Sequence, residues 1–260
     1  MAIAATVAVE RWGGIIGGVL GTLPTTIVPA AFGLLAVSPD AEAFRDAIYI
    51  TPVGMFLNAG FLWLWRVLPP RLPERPLPQR LASMVMLTLS AWAIMAALAV
   101  GLSHLLKGLG LSSLFLGLGA TLVTLGAGLA ATRETHPAPR GTRKVSPLVL
   151  IGRGLLAATA IAVSVLIARV GGSFLAGMAA VFPAIFLTTM VGLWLSQGSA
   201  VPSGAVGPMM LGSCSVQVFS LICGWSMPAL GSGWGAALAW VLAALGVSLP
   251  VATWLRRKRA

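Results

Sequence analysis

Acidic residues are scarce in this chain. There are six in 260 residues, Glu10, Asp40, Glu42, Asp46, Glu74 and Glu134, and none falls in the middle of a long apolar run. The two histidines, His104 and His136, stand at a run end and in a polar connection. Proton relays through a bilayer rest on intramembrane Asp, Glu or His, so a carboxylate-driven proton antiporter is disfavoured. Cysteine is equally sparse: Cys214 and Cys223 lie nine residues apart in one apolar run. On a helix that offset is a rise of roughly 13 Å, beyond the reach of a disulfide, and marks them as packing residues. The sequence also lacks a metal-spaced His/Cys/carboxylate set, a phosphate-cradling G-x-x-x-x-G-K-[ST] loop and a Gly-x-Ser-x-Gly elbow. The thiol and serines of "GSCSVQ" (Gly212 to Gln217) have no mid-run histidine to activate them. The expectation is a protein that is not an enzyme and carries neither metal nor cofactor.

Charge of either sign is low, 9% of residues, while 58% are hydrophobic and the mean hydropathy is +0.95. Soluble domains carry about 25% charged residues. A hydrocarbon core about 30 Å thick takes about 20 apolar residues per helix. Eight runs meet that length, at about 13–36, 48–68, 81–103, 108–131, 147–168, 172–196, 205–227 and 233–255. The fold class expected is therefore all-α, a polytopic integral membrane protein of about eight transmembrane helices. "SPDAEAFRDA", "PPRLPERPLPQR" and "TRETHPAPRGTRKVSP" separate spans 1 and 2, 2 and 3, and 4 and 5, and proline-rich basic connections of this kind end helices.

The formal net charge of +11 invites a nucleic-acid reading, but the cations sit in short connections rather than on a basic helix or aromatic platform. No nucleic-acid partner is expected. Their positions instead follow membrane topology. If the chain starts inside, the inner segments hold Arg66, Arg71, Arg75, Arg80, Arg133, Arg140, Arg143, Lys144, Arg256, Arg257, Lys258 and Arg259, with Arg11 and Arg153 at inner span ends. The outer segments hold only Arg45, Lys107 and Arg169, beside Asp40, Glu42 and Asp46. Eight spans with both termini cytoplasmic, in a cell (inner) membrane, satisfy every charged connection. "MAIAATVAVERW" has no basic region ahead of its short apolar run, so a cleaved signal peptide is not expected.

Two phrases then stand out, "GGVLGTLPTTIVPAAFGLL" (Gly17 to Leu35) and "AGMAAVFPAIFLTTMVGLWL" (Ala176 to Leu195). Aligned on Pro24 and Pro183, they share a glycine six residues before, a small residue three before and a large apolar residue just before. The spans that follow carry Pro52 and Pro208 near their starts, and the third spans carry tryptophans in "LSAWAIMAAL" and "LAWVLAAL". Spans 1–3 and 6–8 thus read as paired units. Their offset of five spans is odd, so the second copy is inverted in the membrane. The domain reading is a first transmembrane repeat over 1–131, a basic cytoplasmic linker over 132–146 and a second repeat over 147–260.

The second unit, from about Leu155 to Pro250, resembles the small GlpM-like inner-membrane proteins. The resemblance rests on "AGMAAVFPAIF", on the polar-dotted next span with Gly207-Pro208, and on the small-residue and tryptophan last span. It implies a four-helix unit, here present as a tandem duplication, and brings no defined activity with it.

A proline inside a helix removes one backbone hydrogen bond and crowds the carbonyl four residues earlier. In lipid the freed carbonyl has to be satisfied by protein, water or ligand. Secondary transporters place such discontinuous helices at corresponding positions of inverted repeats. The candidate substrate-binding residues are accordingly Pro24, Thr25 and Thr26 in span 1, and Pro183 and Thr188 in span 6. Asn58 and Gln217 join them as mid-span amides that need partners, and Arg169 as a guanidinium suited to anion contact. Helix packing through small residues and hydroxyls bonded to their own helix are the competing reading of the same features. The function expected is a transporter or facilitator of a small organic or anionic solute. The alternatives are a lipid-handling, flippase-like protein or a non-transporting membrane subunit or scaffold. Partners expected are membrane lipid and such a solute, with room for a homo-oligomer.

Overall fold

The computed structural model describes residues 23–25, 27–133, 151–152, 155, 158–159, 162, 166, 182–198 and 200–258. The described helices are α1 (Ile27–Val37), α2 (Ala41–Val67), α3 (Leu77–Gly108), α4 (Ser113–Ala131), α5 (Ala184–Gln197), α6 (Ala200–Leu230), α7 (Ser232–Ala243) and α8 (Leu249–Arg257). A π-helical turn, Ala244–Ser248, joins α7 to α8. Among the described residues there is no strand. Counting α7 to α8 as one rod, five of these helices are long and apolar enough to cross a membrane, and α1 and α5 are shorter apolar helices. The fifth expected span, 147–168, lies almost wholly outside the described residues.

Several boundaries differ from the expectation. "SPDAEAFRDA" is not a loop, because α2 begins at Ala41. Asp40 caps it, accepting a hydrogen bond from the Ala43 amide at 2.8 Å. Glu42 in the first turn faces the positive end of the helix dipole, which is why these acids favour helix over loop. The connection from α2 to α3 holds a 3-10 turn, Pro69–Arg71, and α3 starts at Leu77 after Pro76. At 32 residues α3 is longer than the expected 81–103. Pro52 and Pro208, expected at span starts, lie inside α2 and α6.

Two helices form the centre. Most of the apolar stretch of α2 and of α6 is buried, whereas very little of that of α3 is, its residues being half-buried or exposed. They run antiparallel: Arg66 near the end of α2 meets Ser203 near the start of α6, and Gly224 near the end of α6 lies against Tyr49 near the start of α2. In lipid no hydrophobic drive separates helix from tail, and association rests on close packing. Glycine supplies it. A Cβ at Gly224 would collide with the Tyr49 ring, one at Gly117 of α4 with the Tyr49 carbonyl, and one at Gly128 would stand 2.8 Å from Leu211. These contacts lay α4 parallel to α2 and antiparallel to α6. Gly231, with φ 82°, turns the chain so that α7 returns along α6. There Gly235 packs on the backbone of Ser226 and Met227, and Ser226 Oγ donates to the Gly235 carbonyl at 2.8 Å.

The two short helices dock on this centre in matching ways. α1 packs on α2, α6 and α7, while α5 packs on α6, α2 and α3. Charge sorts to the two ends. Arg66, Arg71, Arg75, Arg80, Arg133, Arg256, Arg257 and Lys258 share one end with Glu74, and Arg45, Lys107, Asp40, Glu42 and Asp46 share the other. At that second end Lys107 pairs with Asp46 at 2.6 Å.

Candidate functional site

Pro24 and Pro183 both precede their helices rather than interrupt them, and both are buried. The reason is the lost amide: proline pre-sets φ for a helix start but donates nothing. In each case the residue after the proline donates back to the carbonyl before it, Thr25 to Leu23 at 2.6 Å and Ala184 to Phe182 at 2.7 Å. With Pro183 at φ −74° and ψ 30°, this approaches the inverse γ-turn. The helices that follow, 11 and 14 residues long, rise about 16 and 21 Å, short of a hydrocarbon core. Of the expected span over 13–36, broken at Pro24, the described part is a helix that starts at Ile27.

Phe182 leads to the first polar group. Its ring meets Trp92 of α3 edge-on, with centroids 5.2 Å apart and planes at 84°. The Trp92 indole N–H donates to Asn58 Oδ1 at 2.8 Å, and Asn58 Nδ2 contacts Met55 Sδ at 3.6 Å. Asn58 is 1% exposed. One connected chain therefore runs from the middle of α2 through α3 to the break at Pro183. On the other side Leu23, directly before Pro24, lines the same cleft as Trp240 of α7. Trp92 thus touches the residue preceding Pro183, and Trp240 shares a cleft with the residue preceding Pro24.

Gln217, fully buried in α6, donates from Nε2 to Thr124 Oγ1 of α4 at 3.0 Å, while its Oε1 has no hydrogen-bond partner among the described residues. A buried acceptor without a donor costs about 1–3 kcal/mol, so this oxygen, like Thr51 Oγ1 on α2, is open to a donor. The neighbouring hydroxyls are spent locally. Ser213 donates to Met210 O at 2.7 Å, Ser220 to Val216 O at 3.0 Å and Thr188 to Ala184 O at 2.9 Å, the back-bonding usual for such residues in helices. Thr25 Oγ1 reaches only Leu23 O, at 3.4 Å.

Of the expected site residues, the structure brings Asn58 and Pro183 together through Trp92 and Phe182. Gln217 lies apart on the α4 side, and Pro24 stands beside α7. Thr26 and Arg169 lie outside the described residues, as do the halves of spans 1 and 6 ahead of the prolines. Trp92 and Thr124 were not among the expected site residues. Trp92 could have been singled out because a mid-span indole N–H in lipid needs an acceptor.

The basic end has its own buried cation. Arg66, 8% exposed, donates from Nη1 to Ala131 O at 2.8 Å and from Nη2 to Ser203 O at 3.2 Å, with its guanidinium 5.5 Å from the Trp63 ring centroid. It ties the ends of α2 and α4 to the start of α6. Beside it Trp65 packs edge-on against Trp194 of α5, with centroids 5.8 Å apart, and Arg80 lies over Trp194. Among the described residues no group of three or more His, Cys, Asp or Glu is placed to hold a metal ion. Comparison with protein families, with curated proteins and with solved structures gives no match to this chain.

Proposed function

We propose that this chain is an inner-membrane transporter or facilitator of a small organic or anionic solute, built as an inverted repeat of two GlpM-like units. The observation that carries the reading is the matched docking of α1 and α5. Exchanging span 1 with 6, 2 with 7 and 3 with 8 converts the contacts of α1 on α2, α6 and α7 into those of α5 on α6, α2 and α3. The same exchange carries the antiparallel α2/α6 pair onto itself, as a two-fold axis in the membrane plane would. The parallel course of α4 and α5 supports an odd number of crossings between them, and hence eight spans. Trp194 of α5 meets Trp65 at the end of α2, and α2 runs with α4.

Discontinuous helices at corresponding positions of inverted repeats are the setting in which secondary transporters hold substrate. Here the substrate path runs past the breaks at Pro24 and Pro183, with Asn58 and the open acceptor of Gln217 as the polar contacts. The cations gathered at one end support a topology with both termini in the cytoplasm. The test is flux of a panel of small organic and anionic solutes through proteoliposomes of the purified chain, run beside a headgroup-scrambling assay. Solute flux without scrambling supports transport. Scrambling without solute flux supports the lipid-handling alternative, and neither activity supports a structural subunit.

A further inference from the structure

The rod formed by α7, the π-helical turn and α8 carries a cleft of about 380 Å³. Its wall runs from Trp240 through Leu245 and Ser248 to Thr253 and Arg256, and Leu23, ahead of α1, also lines it. Apart from Thr253, whose hydroxyl donates to the Pro250 carbonyl at 2.9 Å, the lining is apolar except at two places. Ser248 is 3% exposed, and its Oγ has no hydrogen-bond partner among the described residues. Unlike Ser213 and Ser220, which bond carbonyls of their own helix, it closes the wide turn Ala244–Ser248. Turns of this kind are frequent at functional sites. The second polar place is the mouth, where Arg256 is exposed and Arg257 and Lys258 follow in the same basic run. No acid lies on α7 or α8, and the one described acid at this end, Glu74, belongs to the connection between α2 and α3.

We infer that this cleft is a binding site for one anionic phospholipid. From Trp240 to Arg256 the rod rises about 24 Å, longer than one leaflet of hydrocarbon, about half of 30 Å. An acyl chain lies along Leu245 toward Trp240, and the phosphate meets the Arg256 guanidinium, whose planar fork matches phosphate oxygens. The basic run supplies the preference for a net negative headgroup. A soluble anion would engage Arg256 and leave the apolar wall empty, and a zwitterionic lipid would fill the wall without matching the charge. The inference stands on the cleft alone and does not depend on the transport reading.

The test uses the full chain purified in detergent, with phosphatidylglycerol or phosphatidylcholine added back. Phosphatidylglycerol raises Tm by roughly 5 °C at saturation, and native mass spectrometry retains one molecule per chain. Phosphatidylcholine does neither. Arg256→Gln at the exposed mouth, and separately Leu245→Trp to fill the wall, abolish most of the shift and the retained lipid. Arg71→Gln, at the same end but outside the cleft, keeps both. Equal shifts with the two lipids overturn the inference, as does an Arg256→Gln chain that behaves like the parent. Equal losses in Arg71→Gln and Arg256→Gln, which would mean diffuse attraction, also overturn it, as does a full shift from glycerol phosphate lacking acyl chains.

Discussion

Asn58 and Trp92, 34 residues apart in sequence, share a 2.8 Å hydrogen bond in the middle of the helix bundle, and the same indole rests on the ring that precedes Pro183. The pair fixes α3 to α2 and holds the start of α5 against α3 through Phe182. Trp92→Phe keeps the ring contact and removes the donor. Its expected cost is about 0.6 kcal/mol, the average for a hydrogen bond between membrane helices, read from unfolding in mixed micelles. Trp92→Ala also removes the edge-on ring contact and should cost clearly more.

Arg66 predicts a larger effect. Its guanidinium serves the carbonyls of Ala131 and Ser203 at once, a geometry that the single ammonium of lysine does not reproduce. Arg66→Leu should destabilise the chain by about 1–3 kcal/mol, and Arg66→Lys should recover only part of that loss. Denaturant titration of the three chains checks the order.

The glycines separate close approach from open surface. Gly224→Ala forces a methyl group into the Tyr49 ring, an overpacking worth about 1–3 kcal/mol of destabilisation. Gly119→Ala on α4 meets nothing within 4 Å, and better helix propensity should leave stability unchanged or raised by up to about 1 kcal/mol. Thermal unfolding should show a lowered Tm for Gly224→Ala and no lowering for Gly119→Ala.

Much of this arrangement was legible in the sequence because membrane helices announce themselves by length and hydropathy, and proline-rich basic connections mark where they stop. The gathering of cations at one end was legible for the same reason. Other features depend on partners far away in the chain. Arg66 looked like one more interfacial cation, since its acceptors lie 65 and 137 residues further on. The acids after Ser38 read as a loop because charge outweighed the capping signal of Asp40, although acids favour a helix's first turn. The sequence singled out Pro24 and Pro183, but it did not show that each lies just ahead of a helix start, with its neighbours bonded across it. Thr188 illustrates the limit of reading polarity as function, since its hydroxyl is engaged by its own helix.

The most direct test of the account measures solute flux in proteoliposomes for four chains: the parent, Pro24→Ala/Pro183→Ala, Asn58→Leu/Gln217→Leu, and Gly119→Ala as a control remote from the breaks. The account predicts that the parent and Gly119→Ala conduct at least one small organic or anionic solute. Both double variants should lose at least tenfold in rate while remaining folded by thermal unfolding. A parent that conducts none of the panel, or double variants that conduct as well as the parent, would contradict it.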